Sequence, residues 1–338
     1  ARLVEVIEAH GGEVRTLTTV ERIEVTDGVA TGVRLDGGHI VRAPVVVSNA
    51  DYKRTVGELL PPGTVSAQTA AWADEAVMTL GLTCVYMVVD RDLVGGAPNT
   101  NYFVFPSWDL PDALETLEAG AMPAGQSAFA YLSLASRKDP DNVALGPPGC
   151  TNLQIMTLAP RGYDWLGVSE GPAHGAPYRR NPRYRDEMEA VQEQLIDAAE
   201  SVLGPLRDHI VFLETASPLT HERYTRSTGG TSYGLQHSPT QSGRFRPGHR
   251  TEVDGLYVVG ANTVTGHGIA GSMVGGVNCA GQILGRPLLV EAMMGTVFAD
   301  TSSLPADGPS WDPVEVSRGA ALRARRAAGR RARAALAD

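Results

Sequence analysis

The chain is poor in the features that mark several function classes. It has three cysteines, Cys84, Cys150 and Cys279, an odd number without metal-ligand spacing. That excludes a disulfide framework and a thiolate zinc site, and it fits a reducing, cytoplasmic compartment. No stretch approaches the roughly 18 uninterrupted apolar residues of a membrane-crossing helix, so membrane contact is expected to be peripheral at most. There is no Gly-x-Ser-x-Gly elbow, no Cys/His arrangement with a nucleophile signature, no metal cluster and no internal repeat. The front of the chain carries no Gly-rich βαβ unit, and it opens on Ala1 inside a helical pattern rather than on Met.

With 338 residues and 43% hydrophobic content the chain can bury a real core, and its length allows two or three domains. The net charge of −9 hides an asymmetry: residues 312–338 hold seven arginines against three acids, a balance of +4 that leaves −13 for the remainder. An acidic body argues against nucleic-acid binding. The Arg/Ala-rich tail reads either as a solvated terminal helix or as an amphipathic one that touches anionic lipid.

The N-terminal pattern begins with an amphipathic helix (Leu3, Val4, Val6, Ile7) that stops at Gly11-Gly12. Three alternating runs follow, VERIEVT, VATGVRL and HIVRA, separated by Asp27-Gly28 and Asp36-Gly37-Gly38. Asp-Gly between alternating runs is the strongest short hairpin signal, so these predict an antiparallel meander. PVVVSNAD is a continuous apolar run of the kind buried in a parallel sheet. Residues 52–250 form a long insert with strand-like runs TLGLTCVYMVVD, YFVFPS, SAFAYLSLAS and TNLQIMTLA. It also holds a long helix from Pro182 to the Gly204-Pro205 stop, with Met188, Val191, Leu195, Ala198 and Val202 on its apolar face.

The most informative stretch is GLYVVGANTVTGHGIAGSMVGGVNCAGQILG, residues 255–285. A short strand leads into a Gly-rich loop and a helix of small residues, so backbone N–H groups face whatever sits in the loop. Gly266-x-Gly268-x-x-Gly271 is a literal dinucleotide fingerprint, with Glu291 at about the ribose-ligand distance. Against it, the strand ends near Gly260, the five residues Ala261 to Thr265 intervene before the first glycine, and no further convincing βα units follow.

A different reading covers the whole window. SPLTHERYTRSTGGTSYGLQH, RPGHRTEVDGLYVVGAN and GHGIAGSMVGGVNCAGQIL in succession resemble the C-terminal end of the phytoene desaturase, carotenoid isomerase and retinol saturase group of FAD-dependent oxidoreductases. The order of meander and VVVSNAD at the front resembles the same group. This implies a mixed α/β fold: an incomplete FAD-binding Rossmann-like domain with an antiparallel meander, plus a substrate domain on a mixed sheet that roofs the flavin. Residues 1–51 and 251–290 would form the first and last parts of the FAD domain, 52–250 the substrate domain and 291–338 the tail. The family's phosphate-binding GxGxxG lies upstream of these segments, so the expectation is a C-terminal portion of a longer protein that alone holds FAD poorly and is inactive.

The resemblance further implies cofactor contacts at Val20, against the adenosine, and at Asn49 and Ala50, where the strand returns to the FAD sheet. It adds Gly260, Ala261 and Asn262 at the second strand's end, and Gly268, Ile269, Ala270, Gly271 and Ser272 in the first helical turn. Asn262 departs from the family's usual acid. A helix dipole at the flavin pyrimidine would stabilise the charge of the reduced ring. The candidates for a proton acceptor are His267, His237 and Tyr233, with His221 and Tyr224 nearby, since His and Tyr are the usual groups for that role. Of these His267 sits between two glycines at the helix entrance. His10, His39, His174, His209 and His249 read as surface residues. Gly275, Gly276, Ala280 and Gly281 read as close packing of the helix. The implied substrate is an isoprenoid or polyene lipid, desaturated by hydride transfer to flavin; isomerisation or saturation fits the same residues, as does, from another class, a non-catalytic lipid-binding piece.

Overall fold

The computed structural model describes residues 1–93, 98–123, 129–175, 177–300, 302, 304, 305, 308 and 311–334. Helix α1 (Arg2–Ala9) precedes a three-stranded antiparallel meander of β1 (Val20–Thr26), β2 (Val29–Leu35) and β3 (Ile40–Arg42). The first hairpin turns on Asp27 (φ 51°) and Gly28 (φ 79°), the pair of left-handed residues that a two-residue turn matched to strand twist requires. Next come β4 (Val46–Ser48) and α2 (Tyr52–Arg54), which runs on into a π-turn over Thr55–Leu59. Asp51 caps α2, accepting from the N–H groups of Lys53 and Arg54.

After α3 (Ala67–Glu75) the chain builds its largest unit from β5 (Leu82–Val89), β6 (Asn101–Val104), α4 (Leu110–Glu118), β7 (Ala130–Leu134), α5 (Ala135–Lys138), β8 (Thr151–Leu158), α6 (Pro182–Leu203) and β9 (Ile210–Ala216). The sheet order is β6-β7-β8-β5-β9. Each pair is antiparallel, so the sheet expected to be mixed is antiparallel throughout. The parallel pairing that makes the fold mixed lies elsewhere. Strand β9 was not among the expected runs: IVFLETA has weak alternation and an acid near its end. Residues 127 and 128 of the expected SAFAYLSLAS run lie outside the described residues.

One face of this sheet is covered by α6. Val85, Met87, Leu132, Leu153 and Ile155 pack against Met188, Val191, Leu195, Ile196 and Ala199. The helix starts at Pro182 behind its cap Asn181 and stops at Gly204 (φ 77°), as its sequence predicts. Its buried stripe is rotated from the expected one: Tyr184 and Ile196 are buried, whereas Val202 is 42% exposed. The other sheet face carries Tyr86, Phe103 and Phe212, all exposed.

The chain then passes through α7 (Pro218–Thr225) to β10 (Leu256–Val258), α8 (Gly268–Leu284), α9 (Leu288–Met293), α10 (Pro313–Ser317) and α11 (Ala320–Ala334). β10 lies parallel to β4, with Leu256 opposite Val46 and Val258 opposite Ser48, and this pair brings the two ends of the sequence together. The meander closes one side, through the Ala30 N–H donating to the Asp254 carbonyl at 2.7 Å and a core of Ile23, Ala30, Val46, Leu60, Val253 and Leu256. The PVVVSNAD run is therefore buried on one face only. Val45 and Val47 are 39% and 46% exposed on the other.

Helix α1 also departs from expectation: Leu3 and Ile7 face solvent, while Glu5 is buried. The cause is the tail, which folds back onto the acidic side of α1. Trp311 Nε1 donates to Glu5 at 2.9 Å and Arg323 pairs with Glu8 at 2.7 Å. Gly319 (φ 77°) passes so close to the Val14 carbonyl that a β-carbon there would stand 2.2 Å from it. The first turns of the arginine-rich tail are thus a docked element. Among the described residues no helix is long and apolar enough to cross a membrane.

Candidate functional site

The site forms where β4 and β10 end side by side and the chain turns into α8. Gly260 (φ 86°) ends the β10 segment under Asn49, whose Oδ1 lies where a β-carbon would have to go. The loop that follows is self-supporting: Thr263 is buried and its hydroxyl donates to the Gly260 carbonyl at 2.9 Å, while the Gly266 N–H reaches the Thr263 carbonyl at 2.9 Å. His267 then stands at the N-cap of α8 in extended conformation, without a side-chain hydrogen bond to the first turn. Gly268 (φ 81°) follows with open space around it, and Gly268, Ile269 and Ala270 are exposed.

The second wall comes from the loop after α7. Residues 231–237 are pinned by Asn262, whose Oδ1 accepts the Leu235 N–H at 2.9 Å, with Gly234 in close approach. This fixes three rings at the entrance of α8. The His267 ring centroid lies 4.7 Å from that of Tyr233 and 4.9 Å from that of His237, the latter edge to face. Gly266 leaves room for His237, because a β-carbon there would come within 3.1 Å of the imidazole. Three rings from two separate loops thus converge on the first turn of one helix. Burial, then the nearby Arg246 and His267, holds the His237 pKa below the usual imidazole range.

The remaining candidates distribute as follows. Asn49, Ala50, Gly268, Ile269 and Ala270 share the exposed rim, and Gly271 and Ser272 lie half-buried behind it. Gly271 is required by its own chain: a β-carbon would press on the Thr265 and Gly266 carbonyls at 2.8 and 3.0 Å. Ala261 offers its carbonyl to Arg246 rather than outward. Val20 opens β1 opposite Leu35, on the meander. His221 bonds Ser232 through Nδ1 at 2.9 Å, and Tyr224 is 74% exposed. Of the helix glycines, Gly275 packs on Thr265 and Gly281 on the Arg286 carbonyl, but a β-carbon on Gly276 would meet nothing within 4 Å among the described residues.

Two residues at this corner escape a reading of the sequence. His249, taken for a surface residue, is 2% exposed; its Nδ1 donates to the Val258 carbonyl at 3.0 Å and its Nε2 has no partner among the described residues. Arg246 is 4% exposed and binds five main-chain carbonyls of the two loops. The only sequence signal for it is an arginine in a glycine- and proline-rich loop with no acid nearby.

Chemically the corner suits an anionic group. The uncapped first turn of α8 presents N–H groups and the positive end of a helix dipole to an open surface, and no carboxylate stands among the residues of the rim. The chain is 29% identical to the chloroplastic prolycopene isomerase of Daucus carota over 276 residues, 81% of this chain and 40% of that protein. It is 26% identical to the all-trans-retinol 13,14-reductase of Danio rerio, over 86% of this chain and 48% of that one. With the lycopene-forming phytoene desaturase of Pseudescherichia vulneris it shares 28% over 80% of this chain and 51% of that one.

This chain is similar to the desaturase, isomerase and retinol reductase group.

It spans about half the length of these relatives. No family model matches it. An oxidoreductase structure from Methanosarcina mazei covers 83% of the chain at 17% identity with a TM-score of 0.49, a likeness too low to bear on function.

Proposed function

We propose that the chain is the substrate-facing and flavin-closing part of an FAD-dependent oxidoreductase that acts on CH–CH bonds of a polyene or other isoprenoid lipid. The observation that carries this reading is the coincidence of two things at one place. The segment that resembles the desaturase group is the one that folds into an exposed, uncapped helix start ringed by His267, His237 and Tyr233.

Bound FAD would supply the hydride acceptor or donor. The protein's part is to bind, orient and keep the reaction dry. Gly268, Ile269, Ala270 and Gly271 would turn their N–H groups toward the flavin, Asn49 and Ala50 would border it, and Gly260, Asn262 and Ser272 would shape its seat. Val20 would meet the adenosine part. His267 and His237, the latter with its pKa held below the usual imidazole range, are placed to take up or return a substrate proton, with the Tyr233 hydroxyl as the alternative donor. The face of the five-stranded sheet opposite α6 supports an apolar substrate: Phe103 and Tyr131 meet at 4.9 Å and Phe105 stacks on Phe103 at 6.2 Å, leaving aromatic surface exposed.

In this reading residues 1–51 and 251–290 belong to the cofactor domain and 52–250 to the substrate domain, and membrane contact is peripheral. Isomerisation and saturation remain readings of the same site, since the three relatives carry different reaction names at nearly equal identity. The test uses the whole protein that carries this segment. It is expected to purify with an oxidised-flavin spectrum and to convert a detergent-dispersed polyene anaerobically, the product separating desaturation, isomerisation and saturation. A colourless protein that retains lipid would overturn the reading in favour of lipid carriage.

A further inference from the structure

We propose that Arg246 is a positioning residue of the candidate site: its guanidinium ties the His237 loop to the loop that delivers His267 and α8, and it leaves an uncancelled positive charge beside them. The second half of this inference rests on the flavin reading above; the first half does not.

The geometry is that of a clamp. Nε donates to the Thr263 carbonyl at 3.0 Å and Nη2 to the Ala261 carbonyl at 2.7 Å, which fixes the loop after β10. Nη1 donates to Leu235 at 3.1 Å, Gln241 at 3.2 Å and Gln236 at 3.3 Å, which fixes the loop after α7. His237 follows Gln236 directly, and His267 lies at the end of the loop that Ala261 begins. A planar fork with donors on three edges can face two loops at once; a lysine ammonium cannot.

The charge is the second point. A buried cation normally pairs with a carboxylate, because an isolated buried charge is costly. All of the hydrogen bonds of Arg246 go to neutral carbonyls, and among the described residues no acid lies within ion-pair distance of it. Carbonyl dipoles solvate the cation but do not cancel its field. That field reaches His237, whose protonation it opposes. It therefore adds to the helix dipole at the same corner and favours an anion there, such as the reduced flavin.

The experiment compares R246K and R246M with the unchanged whole protein. Imidazole proton resonances, assigned with His237→Gln and His267→Gln, report the ring contact by cross-relaxation. Affinity of the bound flavin for sulfite, which adds at N5 and leaves an anionic ring, reports the charge. The expected result is loss of the His237–His267 contact in R246M with sulfite binding weakened about 10-fold, the size of one removed charge at partly screened range. R246K should weaken the contact yet hold sulfite affinity within about 3-fold, since the charge stays. If R246M does not fold, R246K decides alone: an unaltered ring contact overturns the clamp. An R246M protein with contact and sulfite affinity both unchanged overturns the whole proposal. An unchanged protein without flavin would sink the functional reading instead, and the ring contact would still judge the clamp.

Discussion

Arg54 Nη2 donates to Glu222 Oε1 at 2.8 Å across 168 residues of chain, and both side chains are buried. The pair joins α2, next to the β4 end of the candidate site, to α7 at the edge of the five-stranded unit. Tyr163 adds its hydroxyl to the other carboxylate oxygen, and burial followed by that carboxylate pushes the Tyr163 pKa up. Removing one partner of such a pair leaves an uncompensated buried charge, so Arg54→Met should destabilise the fold by about 3–5 kcal/mol. The double variant Arg54→Met with Glu222→Leu should regain most of that loss. Urea unfolding of the two variants checks this, and equal stability in the single and double variants would show that Arg54 contributes only packing.

The glycines of α8 offer a graded test of which face is used. Gly271→Ala places a methyl against the Thr265 and Gly266 carbonyls and should cost about 1–3 kcal/mol, the range for overpacking. It should also displace the His267 turn and with it the flavin. Gly276→Ala enters open space on a helical position and should gain up to about 1 kcal/mol. Thermal midpoints and flavin content of the two proteins measure both effects; a Gly271→Ala protein with native midpoint and full flavin would release this turn from the site.

Most of the local structure was legible because it is written in short-range chemistry. Asp27-Gly28 signals a tight left-handed turn between alternating runs, and Pro182 with the Gly204-Pro205 stop brackets α6 by local chemistry alone. The helix entrance at His267 was legible for the same reason. What failed was set by partners far away in sequence. Glu5 rather than Leu3 is buried on α1 because Trp311 and Arg323 arrive from the other end of the chain. The all-antiparallel sheet depends on β9 pairing β5 across more than a hundred residues, and the alternation of IVFLETA is too weak to announce it. Arg246 and His249 were invisible because burial of a charged or polar side chain among backbone carbonyls leaves no local pattern.

The pH dependence of stability should carry the mark of His221. Burial lowers its pKa below the ordinary 6.5, so the folded state binds its proton less readily than the unfolded chain. Stability from this group is then fully present above pH 6.5 and is lost as pH falls from there toward the depressed folded value. Its Nδ1 contact with Ser232 at 2.9 Å gives way to charge only at that cost. His221→Gln, which keeps a hydrogen-bonding side chain, should flatten part of the decline below pH 6.5. Denaturation midpoints across that window decide the matter, and an unchanged slope would assign the decline to His237, whose pKa is lowered too.

His267 allows the sharpest separation of chemistry from structure. Its ring touches Tyr233 and His237 but caps nothing, and the residue is exposed, so its loss leaves no buried cavity and should alter stability by no more than about 0.5 kcal/mol. If the imidazole handles the substrate proton, His267→Ala should lower turnover on the order of 10²-fold, the low end of acid–base contributions, with flavin content unchanged. His237→Ala should act in the same direction but also disturb the Gly266 turn against which that ring packs. Anaerobic single-turnover flavin reduction by a polyene resolves the step concerned. A His267→Ala protein that reduces its flavin at the native rate would leave the two rings as packing, and hydride transfer would then depend on positioning by the backbone of α8 alone.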